Sequence, residues 1–235
     1  MDWPVSVALA QSVPELPTGT DWSYEVKLDG HRMIMWRTGD GVRLQARSGR
    51  DVTAAWGDLA LAGHHLPAGT ILDGEAVITT ENGRISFEAA QARAASSPTR
   101  AHRLAAQRPA HYIAFDALQL PSGDVRSRPY SERRAALLNL LAELPANTPI
   151  QAVSATTDRD TALTWYTTLH HEHGVEGIVA KRTTSPYRAG APGRGRRSAT
   201  RTRSRRPWPG SPTPRASPGH SPSGSPTDAS RCPSA

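Results

Sequence analysis

Tyr24-Glu25-Val26-Lys27-Leu28-Asp29-Gly30-His31-Arg32 is the stretch on which the reading of this chain turns. Trp22, Tyr24, Val26 and Leu28 alternate with Ser23, Glu25, Lys27 and Asp29, a period of two that predicts a half-buried strand. One face of that strand carries an acid, an amine and an acid in succession. Gly30 then permits a tight turn or the close approach of another backbone or a ligand. Such a face is either a solvated edge or a built site.

Composition narrows the choice. Residues 1–187 hold 18 Lys+Arg against 20 Asp+Glu, whereas residues 188–235 hold ten Arg and one Asp. The net charge of +7 therefore belongs to the tail. Within residues 1–187 there are 16 Arg and only two Lys, Lys27 and Lys181. Arginine stays protonated, while a lysine amine can lose its proton and attack an electrophile, so a lysine kept in an arginine-rich chain points to chemistry. A single cysteine, Cys232, excludes an intrachain disulfide. No apolar run approaches a membrane span, and the N-terminus lacks the pattern of a signal peptide. These features predict a cytoplasmic protein, and no coiled-coil pattern argues against a monomer.

Outward from the Lys27 strand, residues 1–20 read as an extended lead-in. His31–Arg37 and Val42–Arg47 form a hairpin about Thr38-Gly39-Asp40-Gly41. Arg47-Ser48-Gly49-Arg50-Asp51 is a polar loop whose arginines suit a phosphate or plain solvation. Ala54–Ala62 is expected to be a short helix. Ile71–Ile78 is a strand with Asp73 and Glu75 on one face of an apolar run, so that either this face is open to solvent or the acids have partners such as a metal or ribose hydroxyls. Phe87–Ala95 reads as helix, 96–110 as a basic loop, and His111–Leu118 as a strand carrying Asp116. Ser131–Leu144 is predicted to be a structural helix capped by Ser131, with a stripe of Leu137, Leu138, Leu141 and Leu144. Pro149–Ser154 reads as a strand. Asp158–His173 is a second amphipathic helix with Leu163, Tyr166 and Leu169 inward. Its terminal His170-His171-Glu172-His173 reads as favourable charge at a helix end rather than a metal site. Val175–Arg182 is the last strand. Alternation puts Glu176 and Lys181 on opposite faces, and a bulge at Gly177 would unite them; the sequence leaves this open. Hairpin-linked strands with inserted helices predict an α+β fold of largely antiparallel sheets.

Together these strands resemble the ATP-dependent DNA ligases of the covalent nucleotidyltransferase superfamily, in particular the short bacterial ones. Lys27-Leu28-Asp29-Gly30-His31-Arg32 matches K-x-D-G-x-R. Arg47-Ser48-Gly49, Asp73-Gly74-Glu75, Tyr112–Asp116 and Glu176-Gly177-Ile178-Val179-Ala180-Lys181 match four further motifs in family order. The resemblance implies an ATP-grasp-like adenylation domain over residues 1–187, with ATP and Mg²⁺ (or Mn²⁺) as cofactors and nicked double-stranded DNA as partner. It implies that Lys27 attacks the α-phosphorus of ATP to give lysyl-AMP. Glu25 would accept from the adenine amino group, favouring ATP over GTP. Arg32 and Arg47 would contact ribose or phosphate, Phe115 would stack on adenine, and Lys181 would stabilise charge on the α-phosphate. Glu75 would bind ribose and assist the metal, and Glu176 would be a metal ligand. AMP would then pass to a DNA 5′-phosphate for sealing in repair or recombination. An RNA ligase or capping-type enzyme is the alternative of the same chemistry. A non-catalytic remnant binding nucleic acid through its tail is the alternative of another class.

The resemblance stops after Ser185-Pro186-Tyr187-Arg188. The family continues with W-x-K-x-K and an OB-fold domain, neither of which is present in residues 188–235. These residues contain no Lys, Val, Ile, Leu, Met, Phe, Tyr, Asn, Gln or Glu, and are expected to form a disordered basic tail. The tail is either an evolved phosphate-binding arm or an out-of-frame reading of GC-rich DNA. The abrupt change in mid-motif favours the second, which would leave the enzyme impaired.

Overall fold

The computed structural model describes residues 1–173, 175–190 and 200–203, the backbone alone at 170–173 and 200–203. In chain order the elements are β1 (Gln11–Val13), β2 (Trp22–Lys27), β3 (His31–Arg37), β4 (Val42–Ala46), a 3-10 turn at Thr53–Ala55, α1 (Gly57–Gly63) and β5 (Thr70–Val77). There follow α2 (Phe87–Ala94), α3 (Pro98–Gln107), β6 (His111–Leu120), β7 (Gly123–Asp124), α4 (Tyr130–Ala142), β8 (Ile150–Ala152), β9 (Ala155–Thr156), α5 (Arg159–His173), β10 (Gly177–Arg182) and β11 (Thr200–Arg203). One sheet has the order β1-β11-β10-β2-β9, the other β4-β3-β5-β6-β7 with β8 on β6. Every pairing in both sheets is antiparallel except β1 with β11 and β6 with β8. The predicted α+β class of largely antiparallel sheets is what folds.

The second sheet carries the main core. Met33, Met35, Leu44 and Leu72 point from its strands toward Trp56, Leu59 and Leu66 around α1 and toward Leu137 of α4, all of them buried. At about 1.5–3 kcal/mol for each large apolar side chain, this face is the chief source of stability. The opposite face of the same sheet packs Ile34, Trp36, Ile71 and Leu118 against Val5 and Val7 of the lead-in. In the first sheet, Trp22, Tyr24, Ile178 and Ala180 pack on α5 through Ala162, Leu163, Trp165 and Tyr166.

The two sheets are joined directly by Gly30. A Cβ there would lie 2.4 Å from the carbonyl oxygen of Ala76, so only glycine lets the chain pass from β2 to β3 against β5. Gly74 is constrained in the same way, since a Cβ would lie 2.6 Å from the Tyr112 ring.

Several expectations are corrected. β2 is buried on both faces up to Lys27, not half-buried, because its polar side lines a cavity instead of meeting bulk water. Residues 98–107 are helical, with Ser97 at the N-cap position and Pro98 in the first turn. The Ala54–Ala62 helix is divided between the 3-10 turn and α1. The N-cap of α4 is Pro129 without a side-chain cap, and the Ser131 amide donates instead to the Thr183 carbonyl. Leu138 of the predicted stripe is exposed. Thr200–Arg203, inside the tail expected to be disordered, forms β11 along β10 and β1. The rest of the tail beyond Gly190, and the side chains of the His170–His173 cluster, lie outside the described residues.

Candidate active site

A cavity of about 550 Å³ opens between the two sheets, a size suited to a small ligand. Glu25, Lys27, Arg32, Arg47, Glu75, Phe115, Glu176 and Lys181, the eight residues singled out in the sequence, all line it. The topology explains the convergence. Antiparallel pairing of β10 with β2 sets Gly177 opposite Lys27 and Val179 opposite Glu25. Lys181 then lies diagonal to Glu25 on the same face, and its Nζ sits 2.8 Å from Glu25 Oε2. Glu176 stands just before β10 begins, so strand alternation does not govern it. Its amide donates to the Lys27 carbonyl, and its carboxylate pairs with Lys27 Nζ. The question left open by alternation is thus answered by the strand boundary, without a bulge. From the other sheet, Arg32 of β3 pairs in register with Glu75 of β5, and Phe115 follows on β6. Arg47 is exposed at the rim, on the loop after β4.

The charges are arranged as cation–carboxylate pairs. Glu25 is 2 % exposed; it accepts from the Tyr130 hydroxyl at 2.5 Å and from Lys181. Lys181 also donates to the Phe115 carbonyl at 2.8 Å and stands 5.1 Å from the centre of the Phe115 ring. Arg32 grips fully buried Asp73 with two hydrogen bonds, Nε to Oδ1 at 2.7 Å and Nη2 to Oδ2 at 2.6 Å. Its guanidinium lies 4.5 Å from the Phe115 ring centre. Asp116 is held by Arg133 of α4 through bonds of 2.7 and 2.9 Å, both side chains being almost wholly buried.

Glu75 is the exception. Burial pushes its carboxyl up to about 7, against the pull of Arg32 and Lys27 and with the repulsion of Asp73 behind it. A carboxyl so raised, facing a cavity, is a candidate for binding or proton transfer. The Tyr130 hydroxyl is raised far above its ordinary value by burial and by the Glu25 charge, so it remains a donor to Glu25.

The sequence reading missed the outer layer of this site. For Asp73, read as open to solvent or partnered by a metal or ribose, the partners are Arg32 and the Tyr187 hydroxyl, the latter at 2.7 Å. Arg133 and Arg134, the latter 3.9 Å from Glu25, come from a helix read as purely structural, and Tyr130 stands at its start. The available signal was spacing: Tyr130, Arg133 and Leu137 follow i, i+3, i+7 and form the buried face of α4. An arginine on such a face requires a buried acid, and Asp116 was waiting on a strand. The lead-in also contributes cavity wall, at Ala8, Leu9, Ala10 and Ser12.

DNA ligase C of Mycobacterium tuberculosis is 41 % identical over 181 residues, covering 76 % of this chain and 49 % of the relative. The multifunctional non-homologous end joining DNA repair protein LigD of the same species is 34 % identical over 176 residues, covering 73 % of this chain and 20 % of the relative. The chain thus spans about half the length of DNA ligase C, and less of LigD. Among solved structures, mycobacterial DNA ligase D complexed with ATP and MES superposes with a TM-score of 0.66 at 28 % identity, covering 86 % of this chain and 60 % of that one. The family model for the ATP dependent DNA ligase domain matches residues 7–197, and the chain belongs to that family.

Proposed function

We propose that this chain carries the nucleotide-transfer site of an ATP-dependent DNA ligase and forms lysyl-AMP at Lys27. The carrying observation is the convergence of all eight residues, from both sheets and the rim loop, on one cavity with the Lys27 amine in its wall. In the reaction the neutral amine of Lys27 attacks the α-phosphorus of ATP. A P–N bond forms, the bond from that phosphorus to the bridging oxygen breaks, and pyrophosphate leaves. The Glu176 carboxylate, paired with Lys27, is the group in place to take the ammonium proton beforehand. Lys181 and Arg32 supply positive charge where the phosphate gains negative charge. Phe115 offers a ring for the adenine, Glu25 an acceptor for its amino group, and Arg47 a cation at the rim for phosphate.

Glu75 and Glu176 present oxygen donors only, and burial holds the Glu75 carboxyl up at about 7. That fits Mg²⁺ or Mn²⁺, which take one or two protein carboxylates and complete their shell with phosphate oxygens and water. When bound, such an ion supplies positive charge to the phosphate oxygens. Transfer of AMP to the 5′-phosphate of nicked duplex DNA, and sealing by a 3′-hydroxyl, are proposed for the whole protein, in the cytoplasm.

Incubation with α-labelled ATP and Mg²⁺ should give an acid-labile label on Lys27, lost in Lys27→Ala. Label persisting in Lys27→Ala would overturn the assignment of the nucleophile, and binding of neither ATP nor GTP would overturn the site.

A further inference from the structure

Tyr187 is the last residue before the composition of the chain changes, and its hydroxyl lies at a junction of three segments. It donates to Asp73 Oδ2 at 2.7 Å and accepts from the Ala8 amide at 2.9 Å. Ala8 in turn accepts at its carbonyl from Arg32 Nη2 at 3.1 Å. The four groups close a ring of hydrogen bonds: Tyr187 to Asp73, Asp73 to Arg32, Arg32 to Ala8, and Ala8 back to Tyr187. The ring is anchored from outside. The Tyr187 amide donates to the Arg126 carbonyl, and the Gly190 amide donates to Val7, beside the lead-in. The Tyr187 side chain packs among Val5, Val7, Ile34, Trp36, Ile71 and Leu118.

The consequence falls on Arg32. Its Nε and Nη2 are committed to Asp73 and Ala8, and among the described residues Nη1 has no hydrogen-bond partner. The guanidinium is planar, so fixing one edge fixes the direction of the other. We propose that Tyr187 is a positioning residue for the nucleotide: through Asp73 and Ala8 it locks the rotamer of Arg32, so that Nη1 is presented to the sugar or phosphate of ATP in the cavity. This rests on the nucleotide reading of the site above. Burial and the Asp73 charge raise the Tyr187 hydroxyl far above its ordinary value, so the donor persists at any pH the fold tolerates.

The test is a double-mutant cycle on ATP binding by the full chain, in a Lys27→Ala background that prevents covalent trapping. Tyr187→Phe removes one hydrogen bond to a charged acceptor and should weaken ATP about 5- to 10-fold. In an Arg32→Gln background the same change should alter affinity by no more than about twofold, because the residue through which it acts is gone. A structural role alone would weaken both backgrounds equally, and that result overturns the proposal, as does unchanged affinity in Tyr187→Phe alone. A second readout needs no nucleotide. The Arg32 Nε–H resonance should be protected from exchange in the parent and should lose that protection in Tyr187→Phe. Equal protection in both proteins overturns the lock. Should Tyr187→Phe unfold, Asp73→Asn takes its place in both measurements, with the same expected outcomes. Absence of any ATP binding by the parent chain would overturn the nucleotide site itself, a failure distinct from loss of the coupling.

Discussion

Replacing Glu75 by glutamine should stabilise the fold at alkaline pH relative to the parent, by an amount that grows across a defined window. The carboxyl has an ordinary value of 4.5 and is raised to about 7 in the folded chain. Between those values the folded state keeps a proton that the unfolded chain has lost. Unfolding then releases a proton, and stability falls as pH rises. The stability this contributes is fully present below 4.5 and is lost as pH passes through 7. At about 1.4 kcal/mol for each pH unit, the parent loses at most about 3.5 kcal/mol across the window. Glu75 is only half-buried, and contact with water lowers this toward about 2 kcal/mol. Glu75→Gln keeps the shape and removes the titration, so all other ionisations cancel in the comparison. Urea unfolding of both proteins at pH 5 and pH 8 measures the difference. The parent should lose about 2 kcal/mol more than the variant between the two conditions. Parallel losses, within about 0.5 kcal/mol, would refute the placement of an uncompensated carboxyl in the cavity wall.

Arg133→Met should cost about 3–5 kcal/mol by urea unfolding, since it strands the buried Asp116 carboxylate, and Arg133→Met with Asp116→Leu should recover most of that. A loss below about 1 kcal/mol for the single variant would show that Lys181, 3.8 Å from Asp116, already neutralises it. Chelation of divalent cations should abolish labelling of Lys27 by ATP, and Mg²⁺ or Mn²⁺ should restore it. Full labelling in the chelated protein would remove Glu75 and Glu176 from the role of metal ligands.

How much of this was legible in the sequence depended on whether the signal was periodic. The Lys27 strand declared itself by alternation, the hairpin by its Thr38–Gly41 turn and the acid-bearing strands as short apolar runs, and the elements stand where these signals put them. Burial of the polar side of β2 did not, because alternation tells which residues share a face but not what that face meets. α3 was missed for a different reason. Of its ten residues only Ala101 is buried, so no apolar stripe exists to be counted, and the informative mark was the Ser97-Pro98 start. The network behind the site depended on long-range pairing. Nothing local to Arg133 names Asp116, and nothing near Tyr187 names Asp73, 114 residues earlier. What could be read was the demand: an acid inside an apolar strand needs a cation or a donor from elsewhere.

That demand, applied to the whole cavity, explains why the site needs more than its own walls. Six cationic side chains line it, Lys27, Arg32, Arg47, Arg133, Lys181 and Arg188, against six carboxyls, Glu25, Asp29, Asp73, Glu75, Asp116 and Glu176. By formal count the lining is neutral, and the pairs Lys27–Glu176, Lys181–Glu25, Arg32–Asp73 and Arg133–Asp116 bring most of that cancellation to contact distance. A neutral, internally paired wall folds without a heavy burden of unpaired buried charge, but it offers a triphosphate little net attraction. Among the described residues, Glu75 can shift the balance. Protonation of Glu75, poised near neutrality, leaves the lining one positive charge to the good. A larger excess would come from a bound divalent cation or from cations outside the described lining.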